Sequence, residues 1–301
     1  MTDAVVRLDV NVPEAQNQNG MVWRQFRRHK LGFASFWLLI VLCAVGLFAP
    51  QLTPYDPNDI DPRAANVNRG FPQPPDAVHA LGTDDFNRDL FSRALFGMRI
   101  SLAVGLLSMT LGLLVGVVIG AVAGYAGGLL DSVLMRLVDI FLSLPSFVLF
   151  LALNAILQPS IWNIVIIIGM FAWMDTARLV RAEFLTLKQR DYVLAAHAIG
   201  VSPARMVLVH LLPNALAPII VTATLAVPGA ILAESALSFV GLGVPPPDAS
   251  LGSMLQDAKA WLNTAWWMWL VPGLLISFIV LAFNFMGDGL RDALDPTLRR
   301  L

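Results

Sequence analysis

The chain has 301 residues, 57% hydrophobic and only 14% charged, with a formal net charge of −1, where ordinary soluble domains run nearer about 45–50% and about 25%. With its apolar residues gathered in runs, such a chain is an all-α polytopic membrane protein, and its balanced charge gives no reason to expect nucleic acid or a strongly charged ligand. The single cysteine, Cys43, lies inside an apolar run, so no disulfide framework is possible within the chain.

Residues 1–20 are polar and lack a sustained period, which predicts a frayed amino terminus within a cytoplasmic segment, 1–30. Arg24, Arg27, Arg28 and Lys30 stand directly before the apolar run 31–50, and this positive flank places the amino terminus in the cytoplasm. The run is long enough to span and follows a polar stretch, unlike a cleavable signal peptide. Residues 51–98 form an outer loop, broken by Pro54, Pro57, Pro62, Pro72, Pro74 and Pro75 and richer in acids than bases. At its end Thr83 or Asp84 is expected to cap an amphipathic helix along the membrane edge.

A core of five further spans runs over 99–287, followed by a cytoplasmic tail, 288–301. The second span, about 100–125, carries Gly112, Gly116, Gly120 and Gly124 at a strict four-residue interval. Glycines so spaced make one smooth face, an assembly surface on which another helix packs backbone to backbone. Gly127-Gly128 with Asp131 and Arg136 marks an inner turn. The third span, about 134–157, holds Asp139 near its inner end and Pro145 in its interior. Pro159-Ser160 and Trp162 open the fourth, about 161–180, where Asp175 and Arg178 can pair on one helix face.

The loop 181–212 then falls in the cytoplasm. In it Tyr192, Ala195, Ala196 and Ile199 share a helical stripe, Gly200 stands where a helix closes, and Ser202-Pro203 starts a second helix through Val207 and Leu211. The alanine pair presents almost no side chain, ringed by Arg181, Lys188, Arg190 and Arg205, which predicts a docking piece for another chain. The fifth span, about 213–240, contains Pro218 and Pro228-Gly229, expected to bend it. Glu234 near its outer end is a costly intramembrane carboxylate and must face the bundle interior, a water-filled path or the interface. Together with Pro228 it is the candidate lining of a translocation pathway; a glutamate paired or snorkelling near the head groups is the rival. Trp261, Trp266, Trp267 and Trp269 form an outer aromatic belt before the sixth span, about 268–286.

Four blocks of this sequence resemble one family in the family's own order. Ala195-Ala196, Gly200 and Leu212-Pro213 resemble the "EAA" loop of bacterial ABC importer permeases, with Leu194 at the acidic place and Asp191 the nearest acid, so no salt bridge is assigned there. Residues 81–93 resemble the "LGTDxxGRDxxSR" block of peptide and nickel importer permeases, with Asn87 for the usual glycine. Residues 239–258 resemble "FLGLGxxxPxxxWGxML", with Leu251 for tryptophan, and Gly287–Pro296 matches "GDGLRDxLDP" at every fixed position.

The resemblance implies a type I ABC importer permease with six transmembrane helices, both termini cytoplasmic, in the bacterial inner membrane. Its implied partners are a second homologous permease, two ATP-binding subunits and an extracytoplasmic substrate-binding protein, with lipid around it. Coupling to the ATP-binding subunit falls on Asp191, Tyr192, Ala195, Ala196, Gly200 and Pro213. The implied cargo is a dipeptide or oligopeptide, with a nickel chelate or another small solute as the alternative. No G-x-x-x-x-G-K-[ST] phosphate cradle occurs, so ATP and magnesium are expected on partner subunits, with no cofactor and no catalytic residue here. His29, His79, His197 and His210 are too scattered for a metal site. A self-contained secondary transporter or channel would instead show ionisable groups through several spans and internal symmetry. Only Asp139, Asp175 and Glu234 occur, each near a span end. A membrane enzyme would need a nucleophile with its base or a metal cluster, and no grouping offers one.

Overall fold

The computed structural model describes residues 18–62 and 71–294. Most of the expected frayed amino terminus, Arg63 and Arg69, and the closing Asp295-Pro296 lie outside the described residues. An amphipathic helix α1 (Gln18–Arg28) leads into the first span, α2 (Lys30–Leu47), and a short turn α3 (Ala49–Leu52). Phe26 of α1 is buried and packs edge-on against Phe36 of α2, ring centroids 6.0 Å apart, while His29 Nδ1 accepts from the Gly32 amide at 2.9 Å to cap α2.

The second span, α4 (Leu90–Ala126), has 37 residues, about 55 Å at 1.5 Å per residue, so it reaches well beyond a hydrocarbon core of about 30 Å. The separate helix expected after Thr83 or Asp84 does not form. Residues there are spent on turns, and the cap is Asp89, whose carboxylate accepts from the Ser92 amide at 2.8 Å. The third crossing is also not one straight span: α5 (Gly128–Leu142) and α6 (Ser146–Ile156) meet at 80°. Pro145 supplies no amide donor and disfavours helical backbone in the residue before it, so the first helix stops short of it and a new one starts after it.

Beyond these lie α7 (Ile161–Leu187), α8 (Asp191–Ala198), α9 (Pro203–Arg205), a π-helical turn (Met206–Leu211), α10 (Leu212–Phe239), α11 (Leu251–Asp257) and α12 (Trp266–Leu294). No strand occurs among the described residues. Five helices are long and apolar enough to cross a membrane, six with the bent pair counted as one span. α10 runs through Pro218 and Pro228 as a single helix.

The centre of the fold is the contact between α4 and α7. A Cβ on Gly116 would stand 2.6 Å from both the Trp173 carbonyl oxygen and Thr176 Cβ, one on Gly120 would stand 2.5 Å from the Ala177 carbonyl oxygen, and one on Gly124 would stand 2.7 Å from Phe184 Cβ. Gly112 meets Ala172 in the same way, and Gly169 of α7 receives Leu111 in return. The four-residue glycine ladder is therefore filled by a helix of the same chain. A second core gathers Leu90, Met98, Leu102, Ile231, Leu251, Met268 and Ile279 from α4, α10, α11 and α12.

Glu234 is fully buried within this second region. Its carboxylate accepts from Ser238 Oγ at 2.7 Å, Ser101 Oγ at 3.0 Å and Ser235 Oγ at 3.4 Å. Ser101 also accepts from the Leu251 amide at 3.2 Å, so one hydroxyl joins α4, α10 and the start of α11. The expectation that Glu234 and Pro228 line a pathway is corrected: both are buried inside the chain, and the Glu234 carboxylate has its acceptor capacity met there by serine hydroxyls.

The outer loop folds as a cap over the ends of these helices. Buried His79 lies 2.9 Å from Asp89 and 3.1 Å from Asp61, Asp84 holds Arg88 at 2.7 Å and Arg93 at 3.0 Å, and Trp267 Nε1 donates to the Thr83 carbonyl at 3.1 Å. Asn87, standing where the family has glycine, has φ 60°, a left-handed conformation that asparagine tolerates best after glycine. Burial opposes a charge on His79, but the carboxylates of Asp89 and Asp61 outweigh it and raise its pKa. Burial first, then Asp84 and Asp257, push the Asp85 carboxyl up to about 6.

Replacing Gly116 with Val should destabilise the protein by about 1–3 kcal/mol, as overpacked cores do, whereas Gly273→Ala, whose Cβ would meet nothing, should be neutral or gain up to about 1 kcal/mol; thermal unfolding in detergent compares them. Both outer-cap shifts favour the protonated form in the folded state. Stability from His79 is present at low pH and lost as pH rises through its raised pKa, and the penalty of ionised Asp85 is relieved as pH falls through about 6. The melting temperature should therefore rise as pH falls from about 8, and Asp85→Asn should flatten the part of that slope below about pH 6.

Candidate coupling corner

Helix α8 is set off from α7 by a turn at Lys188–Arg190, and Asp191 occupies its first turn, where a negative charge suits the helix dipole. Its far end closes on Gly200 at φ 78°. The Gly200 amide donates to the His197 carbonyl at 3.0 Å and the Val201 amide to the Ala196 carbonyl at 3.2 Å, the paired bonds of a Schellman closure. Nothing would touch a Cβ on Gly200, so the constraint is backbone handedness alone. Ser202 and Pro203 then begin the second arm, giving the helix, corner and helix read from the sequence.

The second arm departs from a regular helix. After three residues it widens into the π turn, where the Leu212 amide bonds to the Val207 carbonyl. Pro213 explains this: in an α-helix its ring would strike the carbonyl four residues back, that of Val209, and it has no amide to donate. A wider turn accommodates both defects.

Val193 and Ala196 are buried on a cluster containing Phe184, Met206 and Leu211, while Tyr192 is 42%, Leu194 55% and Ile199 82% exposed. Ala195 and Asp191 are also exposed. Ala196 therefore does not share the outward stripe with Tyr192, Ala195 and Ile199. It lies three residues after Val193, on the side packed with Met206 and Leu211 of the second arm, and that is its correction. Pro213 is exposed at the start of α10.

Three ties brace the spans beside the corner, and spacing alone did not reveal them. Lys188 Nζ donates to the Tyr125 carbonyl at 2.8 Å, at the end of α4. Arg181 of α7 forks onto Asp131 in the first turn of α5, with Nη2 to Oδ2 at 2.7 Å. Arg178 pairs with Asp139 of α5, so the Asp175–Arg178 pair expected within α7 is not made, and Asp175 remains exposed. The helix carrying Asp139 approaches from the other side of Arg178 and takes its guanidinium.

A multi-span helical bundle with a partly apolar corner between α7 and α10 has the layout of a membrane transport permease. Residues 116–300 match the family model described as binding-protein-dependent transport system inner membrane component, and residues 17–75 match the N-terminal TM domain of oligopeptide transport permease C. Among similar curated proteins are the di/tripeptide transport system permease protein DppC of Pseudomonas aeruginosa, 44% identical over 92% of this chain and 91% of that one, and the dipeptide transport system permease protein DppC of Escherichia coli, 42% identical over 92% and 93%. A chain from the inward-facing structure of the MetNI methionine ABC transporter shares the fold at a TM-score of 0.58 and 20% identity, covering 68% of this chain and 98% of that one. The chain belongs to the binding-protein-dependent transport system inner membrane component family and is a multi-pass inner-membrane protein.

Gly200→Ala should cost about 1–2 kcal/mol, because an L-residue is forced into left-handed backbone. Proteolysis at 199–202 should speed up before global unfolding changes, and an unchanged cleavage rate would remove the Schellman closure from the design.

Proposed function

We propose that this chain is the transmembrane permease subunit of an ATP-driven importer, paired with a second homologous permease and passing small peptides handed over by an extracytoplasmic binding protein. The carrying observation is the corner itself, an outward face of Tyr192, Ala195 and Ile199 that follows a turn tied by Lys188 to the end of α4, next to the α7–α5 pair of Arg181 and Asp131. A rigid, small-featured surface at the inner ends of a bundle is what a motor needs to push against. Peptide cargo is supported by the names of relatives at 36–44% identity.

In this reading both termini are cytoplasmic and two ATP-binding subunits dock beneath the corner, carrying the nucleotide and magnesium. Their closure on ATP presses Asp191, Tyr192 and Ala195, and Gly200 keeps the two arms at a fixed angle. The displacement passes through the π turn and Pro213 into α10, which carries the pathway wall, and the pair switches from inward-facing to outward-facing.

A carboxyl-terminal affinity tag and a pull-down in mild detergent test the assembly. A second permease and ATP-binding subunits should co-purify. Ala195→Glu should lower peptide-stimulated ATP hydrolysis about tenfold, equivalent to ~1.4 kcal/mol lost at the docking face, without lowering the amount of chain in the membrane. Ala196 is the wrong residue to charge, since a buried glutamate there would disturb the fold. Normal coupling by the Ala195→Glu variant would remove the docking assignment. Recovery of the chain alone, transporting in liposomes without nucleotide, would make it a secondary transporter.

A further inference from the structure

A groove of about 470 Å3 opens between α4, α6, α7 and α10, inside the range of about 300–1,000 Å3 seen for small-ligand clefts. Phe150, Phe171, Thr176, Thr222 and Gly229 line it, and the ionisable side chain among its lining residues is Asp175. Asp175 sits fourteen residues into α7, about 21 Å along the helix axis, and so lies within the membrane-spanning part of the chain. The cations nearest in sequence on its own helix are engaged elsewhere, Arg178 by Asp139 and Arg181 by Asp131. No described side chain pairs with Asp175, and it is exposed to the groove.

A carboxylate at that depth is too costly to face lipid, so it faces water, the paired permease or a cationic ligand. We propose that Asp175 binds the ammonium terminus of the peptide as it crosses, and that the groove is this chain's half of the cargo path. Chemistry favours that end of the cargo. A free peptide carries an ammonium whatever its side chains, so one fixed carboxylate reads every cargo alike. The aromatic and aliphatic walls, with the threonine hydroxyls, accept varied side chains without selecting one. Gly229 leaves the α10 wall of the groove without a side chain, and a Cβ there would meet nothing, so room for the ligand is left open. The inference rests on the peptide-permease reading above.

The test uses the complete importer in proteoliposomes, with ATP inside and peptide-loaded binding protein outside. Uptake of dialanine should fall about tenfold for Asp175→Asn and stay within about threefold of the parent for Asp175→Glu, a rescue expected of a charge contact. In a Cys43→Ser background that keeps Asp175, the thiol introduced by Thr222→Cys on the groove wall should react with a water-soluble cationic thiol reagent, and cargo should slow that reaction. Parent-like uptake by Asp175→Asn would overturn the proposal. If that variant fails to assemble, the thiol decides: absence of labelling, or labelling indifferent to cargo, overturns it equally. An unsubstituted complex that takes up no peptide would instead sink the peptide-permease reading, which separates the two failures.

Discussion

Helices in lipid gain nothing by burying apolar side chains against one another, because the surrounding chains are just as apolar; close approach has to come from shape. The contact of α4 with α7 is built on that constraint. Four glycines present bare backbone to Ala172, Thr176, Ala177 and Phe184, and the last of them brings the inner end of α4 against Arg181 and Phe184. From there Lys188 reaches the Tyr125 carbonyl and Arg181 reaches Asp131. Without the glycine row the two helices would stand apart, and the corner would have no fixed base.

At the outer end the fold is held by polar groups instead. Glu234 gathers Ser101, Ser235 and Ser238 inside the bundle, and the cap above it is fastened by His79 between two aspartates and by Asp84 between two arginines. The corner end of the bundle is thus tied by exposed or half-exposed ion pairs and the cap end by buried ones.

How much of this was legible in the sequence depends on how far apart the partners lie. The glycine ladder could be read because its four members define a face by themselves, and the corner because Gly200, Ser202 and Pro203 act within a few residues. The partner of Arg178 could not: Asp175 was three residues away, while Asp139 arrives from 39 positions earlier by way of a helix bent at Pro145. Ser101 likewise meets Glu234 across 133 positions. Ala196 was misplaced for another reason. Apolar residues surround all sides of so short a helix, and its period cannot choose which side turns inward. The blocks that resemble the family located the corner and the cap without fixing either side chain's direction.

The π turn at Met206–Leu211 has a consequence for how the corner and the fifth span can drift apart in sequence. A regular helix turns about 100° per residue, so gaining or losing one residue re-faces everything beyond it, and the buried side of α10 would swing away from its neighbours. A turn already widened by one residue is a splice point. A single residue removed there, together with exchange of Pro213 for a residue that has an amide, returns the backbone to ordinary pitch and leaves Ala215, Ile219 and Ile231 facing the core they now occupy. The corner can change length at that place while the span keeps its face.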